Sequence, residues 1–177
     1  MHDESIDPTI FAAILDDTAT TAAVHHASAS IDELFEVTDS LKPLTSNDLW
    51  AKYYRPPLET EGLTSEIDYE TKVIPEPETL DAFVACNQQS ISLAGLDLNL
   101  VETEAYDSKQ DACSRIPDCT GWWRFSRIGY NQRKTEAMVH TDYDHPRYRL
   151  MGMGHFVLLR RESGMWHVAA KHMTWIS

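Results

Sequence analysis

The chain is short of cysteine and of basic residues, and each shortage removes a class of protein. Its three cysteines, Cys86, Cys113 and Cys119, are too few and too far apart for a zinc site built from C-x₂₋₄-C pairs. Its 15 Lys and Arg residues stand against 28 Asp and Glu, and the resulting net charge of −13 would repel a polyanion. We therefore expect no nucleic-acid binding.

Long apolar runs and familiar catalytic motifs are also missing. No window approaches the roughly 18 apolar residues of a membrane-spanning helix. The 177 residues contain no Gly-rich phosphate loop, no dinucleotide fingerprint, no Gly-x-Ser-x-Gly elbow and no H-E-x-x-H motif. The start, residues 1–5, lacks the basic and apolar regions of a signal peptide. As written, the sequence indicates a cytoplasmic protein, or an exported one in which Met1 replaces a removed signal peptide.

The charges that are present divide unevenly along the chain. Residues 1–111 hold 23 acidic and five basic residues, whereas residues 112–177 hold five acidic and ten basic ones. This division is consistent with a solvated acidic surface, with attraction between the two parts, or with steering of a basic protein partner toward the acidic part.

The apolar patterning predicts one α+β domain over residues 1–177. The dipeptide Asp7-Pro8 suits a helix start, so a helix is expected over about residues 8–17, and a second one over about 77–88. The alternating run 96–101 predicts a half-buried strand. Short links then join four further strands, which predict an antiparallel meander that packs against the N-terminal helices: Trp123–Gly129, Thr135–Tyr143, Gly152–Arg161 and Met165–Ile176.

The dipeptide Ser163-Gly164 lies between the last two of these strands and suits the positive φ angles of a primed hairpin turn. A two-residue turn fixes the register, which would place Leu159 opposite Val168 and His155 opposite His172. A three-residue turn would shift this pairing and separate the two histidines.

The same register carries the one prediction of a metal site. Side chains directly opposed across two strands have Cβ atoms ~5 Å apart, close enough for His155 and His172 to share a metal ion. His140, on the preceding strand, is the third candidate ligand, and such a site would suit Zn or Fe. The simpler interpretation treats all three as ordinary polar strand residues, and in that case the sequence predicts no cofactor.

An aromatic run in the first strand of the meander is the candidate binding site. Trp122 and Trp123 stand beside Arg124, and Arg127 follows three residues later. Trp and Arg dominate the energetics of protein interfaces, so these residues would suit a patch that binds a protein. The alternative is a core strand with one tryptophan on each face.

Several short motifs resemble a module found in uncharacterised bacterial proteins. Those proteins carry a Ser-Arg-Val-Gly-Phe-Asn-like strand end, a Gly-x-Tyr-x-Leu-Leu strand, a Gly-x-Trp turn and a final Trp-x-Ser. The resemblance covers about residues 120–177, implies a β-rich fold and a frequently exported protein, and implies no activity. The Gly-x-Trp ending is also similar to cystatin-like and nuclear-transport-factor-like folds. The matching stretches are Phe125–Asn131, Glu136–Val139, Gly154–Leu159, Gly164–Trp166 and Trp175–Ser177.

Taken together, the charge division and the missing motifs favour a non-enzymatic binding or inhibitory module. It would act on a protein partner, expected to be basic, through an acidic surface or an aromatic sheet face. The alternative is a small metal-dependent or His-based enzyme with its site on the sheet. A structural or envelope protein is a third reading, which rests on the resemblance alone.

Overall fold

Two helices pack on opposite faces of one six-stranded sheet in a computed structural model of the protein. This confirms the α+β class and a mostly antiparallel sheet. The residues that the structure describes are 6–15, 22–24, 29–30, 75–93, 115, 119, 121–145 and 152–176.

The first helix, α1, spans Pro8–Leu15 and covers one face of the sheet. It begins where expected, because the Asp7 carboxylate accepts the Thr9 N–H at 2.9 Å and Pro8 needs no hydrogen-bond partner for its nitrogen. Phe11 packs on Phe125 with ring centroids 4.7 Å apart. The buried cluster on this α1 face consists of Ile10, Phe11, Ile14, Leu15, Leu93, Trp123, Phe125, Ile128, Ala137, Val139, Val157 and Leu159.

The sheet has the strand order β1-β2-β4-β5-β6, and the short β3 also pairs with β4. β1 runs parallel to β2, and every other pairing is antiparallel. The predicted meander is therefore confirmed, whereas β1 was not predicted because its stretch is small and polar. The strands are β1 (Ala22–Val24), β2 (Gly121–Phe125), β3 (Gly129–Tyr130), β4 (Glu136–Asp144), β5 (Gly152–Glu162) and β6 (Met165–Ile176).

A bulge splits what the sequence predicted as one strand into β2 and β3. Phe125 pairs with Thr141 and Gly129 pairs with Met138, so three residues face two across the pair. The extra residue turns backbone groups of Arg127 away from β4. This bulge, residues 126–128, is where the second helix docks.

The second helix, α2, spans Pro77–Cys86 and ends on that bulge. Asn87, which is fully buried, accepts the Arg127 N–H at 2.7 Å and donates to the Arg127 carbonyl at 3.1 Å. It also donates to the Phe83 carbonyl of the last helical turn at 2.9 Å. One side chain thus satisfies the backbone groups that the bulge frees and ties them to the helix end.

The approach of α2 to the sheet depends on a glycine. A Cβ at Gly129 would overlap the backbone of Phe83 and would lie 2.6 Å from the Phe83 Cβ. The Phe83 ring then reaches Phe156 of β5, with centroids 5.7 Å apart. Because Gly129 and Phe156 lie on the face opposite the α1 cluster, we call this the α2 face.

The start of α2 is held by a buried carboxylate. Glu136 accepts the Glu76 N–H at 2.6 Å and the Thr79 hydroxyl at 2.9 Å. Arg160 lies 3.4 Å from the other oxygen of this carboxylate and compensates its charge. A hydrogen bond from Asn131 lowers the pKa of Glu76, which keeps the second acidic group at this helix start ionised.

The hairpin turn at Ser163-Gly164 is confirmed by positive φ angles of 51° and 88°. Leu159 pairs with Val168, as the two-residue turn requires. Beyond that pair, the extra residue Ala169 shifts the register by one.

The predicted pairing of the two histidines is therefore wrong. His155 faces Met173, and His172 faces Phe156, because the bulge at Ala169 adds one residue to β6. A second bulge at Thr174 shifts the register again before Trp175 pairs with Gly154.

Other expectations cannot be compared with the structure. The strand predicted over residues 96–101 lies outside the described residues, and so does Cys113. Cys119 is a buried free thiol that donates to the Gly121 carbonyl at 3.3 Å. Neither described helix has the length and apolarity that crossing a membrane would take.

We expect Asn87→Ala to lower the free energy of unfolding by about 3 kcal/mol, because buried backbone groups of Arg127 and Phe83 lose their partner. Urea denaturation followed by tryptophan fluorescence measures this loss. Gln88→Ala is the matched control. Gln88 follows Asn87 in the sequence, and its side-chain amide makes one exposed hydrogen bond, to the Val84 carbonyl at 2.9 Å. Equal losses in the two variants would contradict the role given to Asn87.

Gly129→Ala is expected to cost about 2–3 kcal/mol, because the new methyl group meets helix backbone, which cannot rotate away as a side chain can. Gly164→Ala provides the comparison, since nothing lies within 4 Å of its Cβ position and its cost comes from a φ of 88° alone. That backbone cost is about 1–2 kcal/mol. If Gly129→Ala were the milder of the two, the close approach of α2 would not be needed for stability.

Candidate functional site

The tryptophans predicted to form a binding patch are not on the surface. Trp122 and Trp123 each expose 8% of their area. Trp123 belongs to the α1 cluster, stacks with Phe125 at a centroid distance of 6.1 Å and meets the tilted ring of Tyr143 at 4.9 Å. Trp122 precedes it in the strand and lies on the opposite face. The structure therefore matches the alternative of a core strand with one tryptophan on each face.

The two arginines of that prediction are half-buried and occupied with the fold. The Arg127 guanidinium donates to the Cys86 carbonyl at 2.8 Å, at the end of α2. Arg124 pairs across the sheet with Asp142, and its positive charge partly offsets the effect of burial on the pKa of that carboxyl. Both arginines thus connect elements of the protein.

The three candidate metal ligands do not converge. His140 and His172 lie on the α2 face, where Phe156 stands between them in the cross-strand row. His155 lies on the α1 face, because it neighbours Phe156 along β5. Among the residues that the structure describes, no three His, Cys, Asp or Glu side chains are grouped as a metal site would need. The pairing of His155 with His172, on which the predicted metal site depended, is therefore absent.

His140 is a buried neutral residue. Its side chain is 1% exposed, and its ring meets Phe156 edge-on at a centroid distance of 5.0 Å. Burial, with smaller contributions from His155 and Arg124 in the same direction, lowers its pKa from 6.5 to about 3. Its Nδ1 lies 3.7 Å from the Asp142 carboxylate, but a neutral ring makes no ion pair there.

The end of β6 is fastened to β4 across the intervening strand. The Trp175 indole N–H donates to the Asp142 carboxylate at 2.8 Å, and the Thr174 hydroxyl lies 3.0 Å from His140 Nε2. Both side chains cross β5 at Gly154, where a Cβ would lie 2.6 Å from the Thr174 hydroxyl and would overlap the Trp175 ring. We call these four side chains and Gly154 the β4–β6 clasp. Burial raises the pKa of the Asp142 carboxyl, which marks the clasp as a site of low polarity.

The most exposed apolar surface of the described residues lies on β6 itself. Met165 is 63% exposed, Met173 41%, Trp175 37% and Ile176 68%. β6 ends the strand order, so within the described part of the chain its outer edge has no strand beside it. It contains no acidic residue, and Lys171 is exposed near its middle. We call this surface the β6 edge.

The sequence prediction missed the β6 edge, although the signal was present. The last strand of a meander has one neighbour, so apolar residues on it are exposed unless something else covers them. The denser aromatic run at 122–125 gives the stronger sequence signal, but a second neighbouring strand and α1 bury it.

Comparison with known proteins adds no assignment: no family model, no curated protein and no solved structure matches the chain. The resemblance of residues 120–177 to a bacterial module stays a prediction.

The buried His140 should make the protein sensitive to acid. Its pKa of about 3 in the folded state lies below the ordinary 6.5, so between these pH values the unfolded chain binds more protons and stability falls as the pH drops. From pH 7 to pH 5, the wild type should lose about 2 kcal/mol more than His140→Gln does. Urea denaturation at both pH values measures the difference, and His167→Gln, at an exposed site, should behave like the wild type.

Proposed function

We propose that the protein is a non-enzymatic binding module whose contact surface is the β6 edge. The observation that carries this proposal is the exposure of four large apolar side chains on β6, whose outer edge has no strand beside it among the described residues. Scattered apolar residues are ordinary on protein surfaces, but several on one strand, with Met173, Trp175 and Ile176 close together at its end, are typical of an interaction site.

Such an edge offers two kinds of contact. The outward N–H and C=O groups of β6 can pair with an extended segment of another chain, which supplies affinity largely independent of sequence. The side chains of Met173 and Trp175 supply selectivity, because aromatic groups and adaptable thioethers are favoured at binding surfaces.

The β4–β6 clasp supports this role. Trp175 and Thr174 are held from β4, so the end of β6 keeps its conformation before a partner arrives. A surface ordered in advance loses less entropy on binding than a frayed strand end would.

The expected acidic surface remains part of the proposal. The acidic half of the chain, residues 1–111, lies largely outside the described residues, although Glu78 and Asp81 are exposed on α2. A basic partner attracted there would dissociate more easily as salt increases. A cystatin-like or nuclear-transport-factor-like topology likewise stays a proposal.

The alternative of a His-based or metal-dependent enzyme has less support. His140 is buried against Phe156, where a substrate does not reach it, and its low pKa makes the neutral ring a weak base near neutral pH. His155 and His172 lie on opposite faces of the sheet.

A capture experiment tests the β6 edge. The wild-type chain, Met173→Lys and Ile176→Lys are immobilised and exposed to an extract of the source cells, and bound proteins are quantified by mass spectrometry. We expect a specific partner to fall at least about tenfold with either variant, since a charge then faces an apolar contact. Gln89→Lys adds the same charge at an exposed site beyond α2 and should retain the partner. Equal capture by all four chains would refute the proposal.

A further inference from the structure

We propose that the β6 edge binds the β6 edge of a second copy of this chain, which gives a two-fold symmetric dimer with a continuous sheet. This inference rests on the proposed function only in using the same surface. The grounds are the geometry of β6, its charge and the self-complementary order of its side chains.

The first step is the alternation of β6. Its pairing with β5 leaves out Ala169 and Thr174 as bulged residues. The remaining ten residues alternate regularly between the two faces of the sheet. Those on the α1 face are Trp166, Val168, Lys171, Met173 and Ile176, and those on the α2 face are Met165, His167, Ala170, His172 and Trp175.

The second step is the symmetry. Two antiparallel copies of one strand are related by a two-fold axis perpendicular to the sheet, which keeps each face on its own side. Directly opposed residues must lie on the same face of the sheet. The axis must therefore pass beside one residue, which then pairs with the same residue of the other copy. Near the centre of β6 the two choices are Ala170 and Lys171.

The third step selects between them. An axis at Lys171 would place two lysines directly opposite each other, which is destabilising. An axis at Ala170 instead brings together two small side chains and sets each Lys171 opposite Val168 of the other copy. The structure thus favours the register centred on Ala170.

That register also joins the exposed apolar residues. Met165, 63% exposed, takes the position opposite Trp175 of the other copy, whose ring lies over Gly152 and Gly154 of β5 and stays 37% exposed. Trp166 comes to lie opposite Met173, 41% exposed. Each of these pairs occurs twice in the dimer because of the symmetry. Four apolar cross-strand pairs therefore lie toward the ends of the paired strands, beyond the Val168–Lys171 and His167–His172 pairs that flank the small centre.

Charge explains why this edge is the meeting point. Each chain carries a net charge of −13, so two copies repel at long range. β6 contains no acidic residue and carries Lys171, so two copies that meet along it bring no carboxylates of this strand together. Added salt should therefore strengthen the dimer, whereas it should weaken a complex with a basic partner.

The same strand limits further growth. A two-fold pair uses both β6 edges at once and so closes the assembly.

The axis is tested by cross-linking the full chain. Opposed Cα atoms in an antiparallel pair lie about 4.5–5.5 Å apart, within disulfide range, so Ala170→Cys should form a covalent dimer under mild oxidation. His167→Cys is the matched control, because its own copy would lie four positions away, about 13 Å along the strands. The wild-type chain reports any cross-linking through its own cysteines.

Sedimentation measures the association itself. Wild type at about 1–100 μM should pass from monomer to dimer, and Met165→Lys should weaken dimerisation at least about tenfold, because its charge would face Trp175. The dimer should tighten from about 50 mM to about 500 mM salt. Gln89→Lys should leave the dimer unchanged.

The outcomes separate this inference from the proposed function. A wild-type monomer at all concentrations, no Ala170→Cys dimer, or a dimer indifferent to Met165→Lys would each overturn the self-pairing. If capture of another protein were still lost with Met173→Lys, the β6 edge would remain a binding surface whose partner is not this chain. If the wild type did not dimerise and capture of another protein did not depend on Met173, both proposals would be refuted.

Discussion

The hydrogen bonds of one buried amide hold the described structure together. Asn87 pairs with both the N–H and the C=O of Arg127 and with the last turn of α2. Without it, the bulge between β2 and β3 would bury backbone groups with no partner, and such groups are costly inside a protein. The bulge in turn lets Gly129 face α2 closely enough for Phe83 to reach Phe156. The packing of the α2 face therefore follows from one side chain at a helix end.

This arrangement also gives a physical reading of the motif that resembles the bacterial module. In the stretch Phe125–Asn131, Ser126 accepts the His140 N–H at 2.8 Å through its hydroxyl, and Gly129 receives the helix. Asn131 accepts the N–H groups of Thr135 and Glu136 and closes the link to β4. Each of these polar or small residues has a structural task, so the motif describes how a helix is fixed to a sheet and does not by itself indicate chemistry.

Local signals predicted the regular elements, and contacts between distant residues accounted for what was missed. Asp7-Pro8, Pro77 and Ser163-Gly164 act within a few residues, and the helices and the hairpin formed where they indicate. The bulges did not follow, because an extra residue at Ala169 leaves the apolar pattern on both sides intact. The role of Asn87 was also hidden, since its partner is 40 residues further along the chain. The candidate site shared this fate: the histidine pair depended on one register, and the exposure of β6 depended on its place in the sheet.

The two bulges of β6 also bear on how the chain length can vary. An inserted residue in a regular strand would exchange the faces of every side chain after it. At Ala169 and Thr174 the extra residue is taken out of the alternation, so Ala170 and Trp175 keep the faces that a shorter strand would give them. Descendants of a common ancestor could therefore gain or lose one residue at either place while Trp175 stays on the face from which it reaches Asp142. Among related sequences, gaps at these two positions would be the expected trace of a strand that changes length without turning over.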